Sequence, residues 1–143
     1  MKIIGFGFKK ITIERKKEIQ GRLEIKSNLQ IEEIEKGNID IAGDILKFHY
    51  LYSVNYEPEF AEISFNGFVL ALPDKTEDTK KILKDWKKKK LSEEIRIFIF
   101  NFIMSKCNLK ALQLEEDFAL PPHIPLPHLT KQTPQAGQAN YTG

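Results

Sequence analysis

Residues 44–56, DILKFHYLYSVNY, place Leu46, Phe48, Tyr50, Tyr52, Val54 and Tyr56 at every second position. Side chains of a strand alternate between its faces, so this pattern describes a β-strand with one packed face, three of whose members are tyrosines. Residues 59–72, EFAEISFNGFVLAL, repeat the period, with Ala61, Ile63, Phe65 and Val69 on one face and Phe60, Glu62, Ser64 and Asn66 on the other. The short link at Glu57-Pro58 predicts an antiparallel hairpin. Such a pair demands a sheet with one packed face and one mixed, wetter face.

The stretches before this hairpin read as further strands. In IIGFGFKKITIE (3–14) apolar and small residues alternate weakly with polar ones, and β-branched residues dominate toward its end. The GFG at 5–7 is too short for a phosphate loop and fits a bulge or a close approach by a neighbouring chain. In GRLEIKSNLQIEEI (21–34), Leu23, Ile25, Leu29 and Ile31 keep even spacing, with an irregularity expected at Ser27-Asn28. GNIDIAGD then supplies a turn or bulge.

The second half turns helical. Residues 73–90 open with proline and acids, close with lysines, and align Ile82, Leu83 and Trp86 on one stripe, an order that suits the helix dipole. Residues 91–108 begin with Ser92, Glu93 and Glu94, a helix N-terminal signal. Their interior is apolar almost all round, from Ile95 through Phe98 and Phe102 to Met104. One sheet face covers only one side of such a helix, so the remainder needs a partner, and self-association is the simplest. The competing reading makes 95–100 a strand, since its isoleucines and phenylalanines also favour sheet.

Function classes narrow by exclusion. A chain of 143 residues, 41% hydrophobic and 29% charged, suits one globular domain. Its net charge of +2 supplies no strong field toward nucleic acid or membrane. The lysines from Lys80 to Lys90 form the one basic cluster, diluted by Glu77, Asp78 and Asp85, and read as a solvated helix end. No apolar run reaches the roughly 20 residues of a membrane span. The N-terminus has no signal-peptide pattern, so the expected compartment is the cytoplasm. Cys107 alone permits neither an internal disulfide nor a multi-cysteine metal site. Ser53, Ser64 and Ser92 lack a nucleophile's setting, and no catalytic constellation or cofactor is expected.

Two histidines, His123 and His128, fall in ALPPHIPLPHL (119–129), and the third, His49, lies mid-strand. No cysteine or acid stands beside them at metal-ligand spacing, so no metal site is expected. Pro121, Pro122, Pro125 and Pro127 bar an ordinary helix or central strand here. Leu120, Ile124, Leu126 and Leu129 suit an extended, polyproline-like segment lying along the domain. The polar residues 130–143 are expected to form a disordered tail. The residues alone therefore describe an α+β protein that self-associates and binds something apolar.

Three stretches carry a resemblance to the SecB export-chaperone family: KKITIE (9–14), SVNYEPEFAEISFNGFVLAL (53–72) and IRIFIFNFIMSK (95–106). The first is similar to the family's first strand, the second to its third turn and fourth strand, the third to the long helix used in oligomer packing. The resemblance implies a four-stranded antiparallel sheet covered on one face by a long apolar helix and a shorter amphipathic one, in a SecB-like domain of residues 1–129. It implies a homotetramer, a dimer of dimers, that holds unfolded or translocation-competent polypeptides without catalysis. The client groove would be walled by the loop after the long helix, here NLKALQLEEDF, through Leu109, Leu112, Leu114 and Phe118. Those leucines also suit a cap on the domain core. A translocase motor would dock on Glu14, Phe60 and Glu62, although Lys10 stands where the family has an acid. The family's closing helix over the groove cannot form from ALPPHIPLPHL. Two other functions stay open: an adaptor of SecB fold dedicated to one partner, such as the antitoxin of a toxin–antitoxin pair, and a nucleic-acid binder using Lys80 to Lys90.

Overall fold

The structure is a computed structural model that describes residues 1–41 and 43–127. The expectations for His128, Leu129 and the tail at 130–143 lie outside the described residues. Four strands, β1 (Lys2–Arg15), β2 (Glu24–Ile39), β3 (Gly43–Glu57) and β4 (Ala61–Leu72), are followed by helices α1 (Thr76–Trp86) and α2 (Glu93–Asp117). The strands form one antiparallel sheet in the order β1-β4-β3-β2, leaving β1 and β2 as its margins. Helix α1 packs on β2 and β3, and α2 lies over β4.

The 44–56 pattern forms the centre of the core. Leu46, Phe48, Tyr50, Tyr52, Val54 and Tyr56 are all buried, paired with buried Ile63, Phe65, Val69 and Ala71 of β4. Each large apolar side chain in this layer contributes about 1.5–3 kcal/mol by leaving water. The hairpin between β3 and β4 turns through a cis Glu57-Pro58 bond.

Three register shifts explain why the outer strands alternate less cleanly, the first on β1 between Ile3 and Gly5, at the GFG stretch. On β1 the register shifts again between Phe8 and Lys10, so Phe6 and Phe8 pack on the core before it and Ile13 after it, while Ile11 stays exposed. On β2 the irregularity falls between Ile31 and Glu33, not at Ser27-Asn28. An extra residue there flips the parity, so Ile31 and Ile34 both reach the packed face.

Residues 95–100 are helical. The Ser92 hydroxyl accepts the Ile95 amide at 3.4 Å, and Glu93 and Glu94 occupy the first turn. One stripe of α2, Ile99, Ile103, Cys107 and Ala111, is fully buried against the sheet. Ile97, Phe98 and Met104 remain 46%, 42% and 37% exposed, the unpartnered face that the all-round apolar pattern implied. The helix also runs nine residues beyond its expected end at 108, so NLKALQLEEDF is its last part and not a loop.

Gly67 marks the tightest approach in the sheet. A Cβ there would collide with the Gly7 carbonyl oxygen and the Tyr50 hydroxyl, which fills the space over the glycine. We expect Gly67→Ala to lower unfolding stability by about 2–4 kcal/mol. A denaturant midpoint within about 0.5 kcal/mol of the wild type would show that the strands relax around the methyl group.

Candidate functional site

The end of α2 is built by a chain reversal that carries no glycine. Ala119 adopts φ 53, its amide bonds to the Glu116 carbonyl at 3.2 Å, and the Leu120 amide bonds to the Glu115 carbonyl at 2.8 Å. This is the Schellman arrangement, with alanine in the left-handed position usually given to glycine. No basic residue lies in the helix's last turn. Arg15 from the end of β1 takes that role, donating to the Phe118 and Ala119 carbonyls at 2.9 and 3.1 Å.

Beyond the reversal, residues 118–127 form a strap that returns against the domain. Leu120 is 6% exposed and belongs to the core. The Tyr56 hydroxyl donates to the Pro121 carbonyl at 2.6 Å. The side chains of His123 and Glu115 are both about 1% exposed, with Nδ1 donating to the carboxylate at 2.7 Å and the His123 amide donating at 3.0 Å. On its other side the imidazole's Nε2 meets the Tyr52 hydroxyl at 2.9 Å and Asn108 Oδ1 at 3.0 Å. Tyr52 also donates to Asn108 at 2.7 Å. Acid and histidine thus meet across the reversal, although the sequence showed no acid at a useful spacing. This network consumes the ligand atoms a metal would need.

Between α2, the β1 margin and this strap runs a groove of about 750 Å³. Phe6 and Phe8 form its floor, Leu109 and Leu112 one wall, and Leu120 and Leu126 another. Two of the four residues named for a groove therefore line one, from a helix and not from a loop. Leu109 is 70% exposed, whereas Leu112 is half-buried. Leu114 turns inward against the core, and Phe118 caps the helix outside the groove. Lys106 and Lys110 stand one turn apart along the same wall. A second cavity of about 480 Å³, between the two helices, is rimmed by Asp74, Asp78, Asp85 and Glu94, a setting less suited to apolar ligands.

The open face of the sheet is polar. Glu14 and Glu62 are opposite one another in the β1–β4 register. Lys16 lies 3.5 Å from the Glu62 carboxylate. Phe60 does not join them: it sits in the hairpin turn, 5% exposed, with the Lys17 ammonium 5.1 Å from its ring centre. The strand alternation predicts Phe60 on the Glu62 face, but Phe60 precedes β4 and packs into the core. Across β2 and β3, Glu33, Glu35 and His49 bring ligand atoms within 4.8 Å of one another. Lys9 donates to His49 Nδ1 at 2.6 Å, which leaves the ring proton on Nε2 for Glu35 at 3.0 Å. That hydrogen bond holds the Glu35 carboxyl below its ordinary range. The cluster is a hydrogen-bonded chain, and a cation could enter only by displacing both Lys9 and that proton.

The buried hydroxyls and the thiol are held neutral. Burial pushes Tyr50, Tyr52 and Tyr56 well above the ordinary phenol range. Burial also pushes the Cys107 thiol up to about 12, with the Tyr50 hydroxyl offsetting part of the rise. The thiolate fraction at pH 8 is then about one part in ten thousand. We expect negligible labelling of native Cys107 by Ellman's reagent at that pH and stoichiometric labelling in guanidinium. Rapid native labelling would mean that α2 lifts from the sheet readily.

A four-stranded antiparallel sheet with two helices on one face makes an α+β fold consistent with a SecB-like one. Among solved structures the chain is similar to the SecB-like chaperone Rv1957 of Mycobacterium tuberculosis, which was determined in complex with a ChAD peptide from the Rv1956 HigA1 antitoxin. The superposition has a TM-score of 0.54 and covers 91% of each chain at 12% identity, a likeness of fold. No protein-family model matches the chain, and no curated protein matches it in sequence. Among the described residues, no helix is long and apolar enough to cross a membrane.

Proposed function

We propose that this protein is a SecB-like chaperone that holds extended apolar segments of unfolded or translocation-competent polypeptides. The observation that carries the proposal is the groove of Phe6, Phe8, Leu109 and Leu112. Apolar side chains of a client would bury there, while its backbone could pair with the adjacent β1 margin. A solved counterpart of the fold that carries a peptide supports this reading. The exposed Ile97, Phe98 and Met104 on α2 support a homo-oligomer, for which we propose a dimer of dimers in the cytoplasm. The proposed action is non-catalytic, in keeping with a cysteine and tyrosines held in their neutral forms.

Motor docking has weaker support, because Lys10 and Lys16 offset Glu14 and Glu62 and Phe60 is withdrawn from the face. A nucleic-acid function is disfavoured as well: Lys89 lies 4.7 Å over the Trp86 ring and occupies the aromatic surface nearest the lysine cluster. A dedicated adaptor remains the second reading, favoured by the antitoxin origin of the peptide on the solved counterpart.

The purified protein should suppress aggregation of a refolding client at near-stoichiometric ratio. Leu112→Asp should weaken client binding by about tenfold or more while leaving oligomer mass unchanged in light scattering. No suppression by clean oligomeric wild type would reject the chaperone reading. Capture of one stoichiometric partner, with no hold on general clients, would establish the adaptor instead.

A further inference from the structure

The strap is held down by polar bonds beneath it, and its apolar side chains face the groove. Leu120, Pro122 and Leu126 line the groove, whereas His123 points the opposite way into the buried Glu115, Asn108 and Tyr52 cluster. Leu126 lies only three residues beyond His123, and its side chain is 52% exposed. Residues 118–123 of the strap are held by polar bonds: Arg15 on the two carbonyls of the reversal, Tyr56 on Pro121, and Glu115 on His123. One wall of the groove therefore rests in part on bonds beneath it, and Glu115, which makes one of them, also borders the groove.

We propose that Glu115 and His123 are positioning residues for the groove: their buried pairing latches the proline-rich strap in place as the wall opposite Leu109 and Leu112. With the latch broken, Leu126 and Pro122 leave the groove, which becomes an open shelf on α2 and β1. An apolar ligand then loses contact on one side. The pairing suits this task because a carboxylate and an imidazole buried together lose much on separation, so the strap is either docked or released. The four prolines keep the released segment extended and reduce the chain entropy lost on docking. The inference rests on the groove being the binding site, the same site proposed for clients.

The test reads the groove and the strap separately, in the intact chain. Groove affinity is measured by fluorescence titration with N-phenyl-1-naphthylamine, a neutral apolar probe. Strap docking is measured by amide hydrogen exchange at Phe118, Ala119, Leu120, His123, Ile124 and Leu126. His123→Ala should speed exchange at these amides and weaken the probe by about tenfold, with β3 and β4 exchange unchanged. His123→Asn, which keeps a donor for Glu115, should restore most of both. In the wild type, saturating probe should slow strap exchange, since coupling between ligand and latch is reciprocal. A strap loosened by His123→Ala without loss of probe affinity would overturn the proposal, as would unchanged strap exchange. If His123→Ala fails to fold, the wild-type arm decides: no slowing of strap exchange at saturating probe rejects the latch. Coupling of strap and probe in a protein that suppresses no aggregation would sink the chaperone reading alone. Suppression with strap and probe uncoupled would sink the latch alone.

Discussion

Tyr50, Tyr52 and Tyr56 put three hydroxyls at the interface between the sheet and what covers it, and much of the structure follows from satisfying them. An unpaired buried hydroxyl costs roughly 1–3 kcal/mol. Each of these has a different solution. Tyr50 reaches the Gly7 carbonyl at 3.4 Å, in space that exists because residue 67 is glycine. Tyr52 reaches Asn108 on α2 and His123 on the strap. Tyr56 reaches the Pro121 carbonyl. The last two require the chain to turn back at the end of α2, so a row of tyrosines on β3 fixes where residues 118–123 must lie. The groove is bordered by that returning strap, through Leu120, Pro122 and Leu126.

Where periodicity is strong, the sequence alone is enough. The hairpin of β3 and β4, the start of α2 at Ser92 and the buried stripe of α1 follow from spacing and capping. Where one residue changes parity, it is not. Nothing in the letters around Lys9 or Ile31 marks a bulge, because these positions are unusual only in relation to the partner strand. Phe60 shows the same limit, since a turn residue does not inherit the strand's alternation. The end of α2 was hidden for two reasons. Asn108 resembles a terminator but bonds to Tyr52 within a continuing helix, and the true reversal places alanine where glycine is the usual signal.

The candidate site was legible through the family resemblance and not as an arrangement. Leu109 and Leu112 are named through the family resemblance, which implies a groove wall after the long helix, yet whether they face core or solvent depends on helix phase, which a loop reading cannot supply. Leu114 points inward and Leu109 outward because five residues of helix turn about 140° past one full turn. Glu115 and His123 are eight residues apart, a separation that means nothing for an extended chain and brings contact only after a reversal at Ala119. Glu33, Glu35 and His49 meet by strand register in the same way. Both polar clusters therefore came from topology, and the histidines alone did not announce them.

The same prolines that bar a lid helix also solve a problem that any apolar groove beside a sheet margin creates. A margin strand with free amides and carbonyls invites pairing with other chains, and an ordinary extended segment beside it would add a second such edge. Pro121, Pro122, Pro125 and Pro127 carry no amide hydrogen. The Pro121 carbonyl is already taken by Tyr56, and the His123 amide by Glu115. The strap can thus present leucine and proline side chains to a groove while offering little backbone for β pairing. In the proposed mode of binding, backbone pairing would fall to β1 and side-chain burial to the groove, so a ligand that uses both would lie in the direction of the strand. The proline-rich stretch, which by composition could have been a linker or a docking motif for another protein, is more economically understood as a wall with its hydrogen-bonding capacity turned inward or removed.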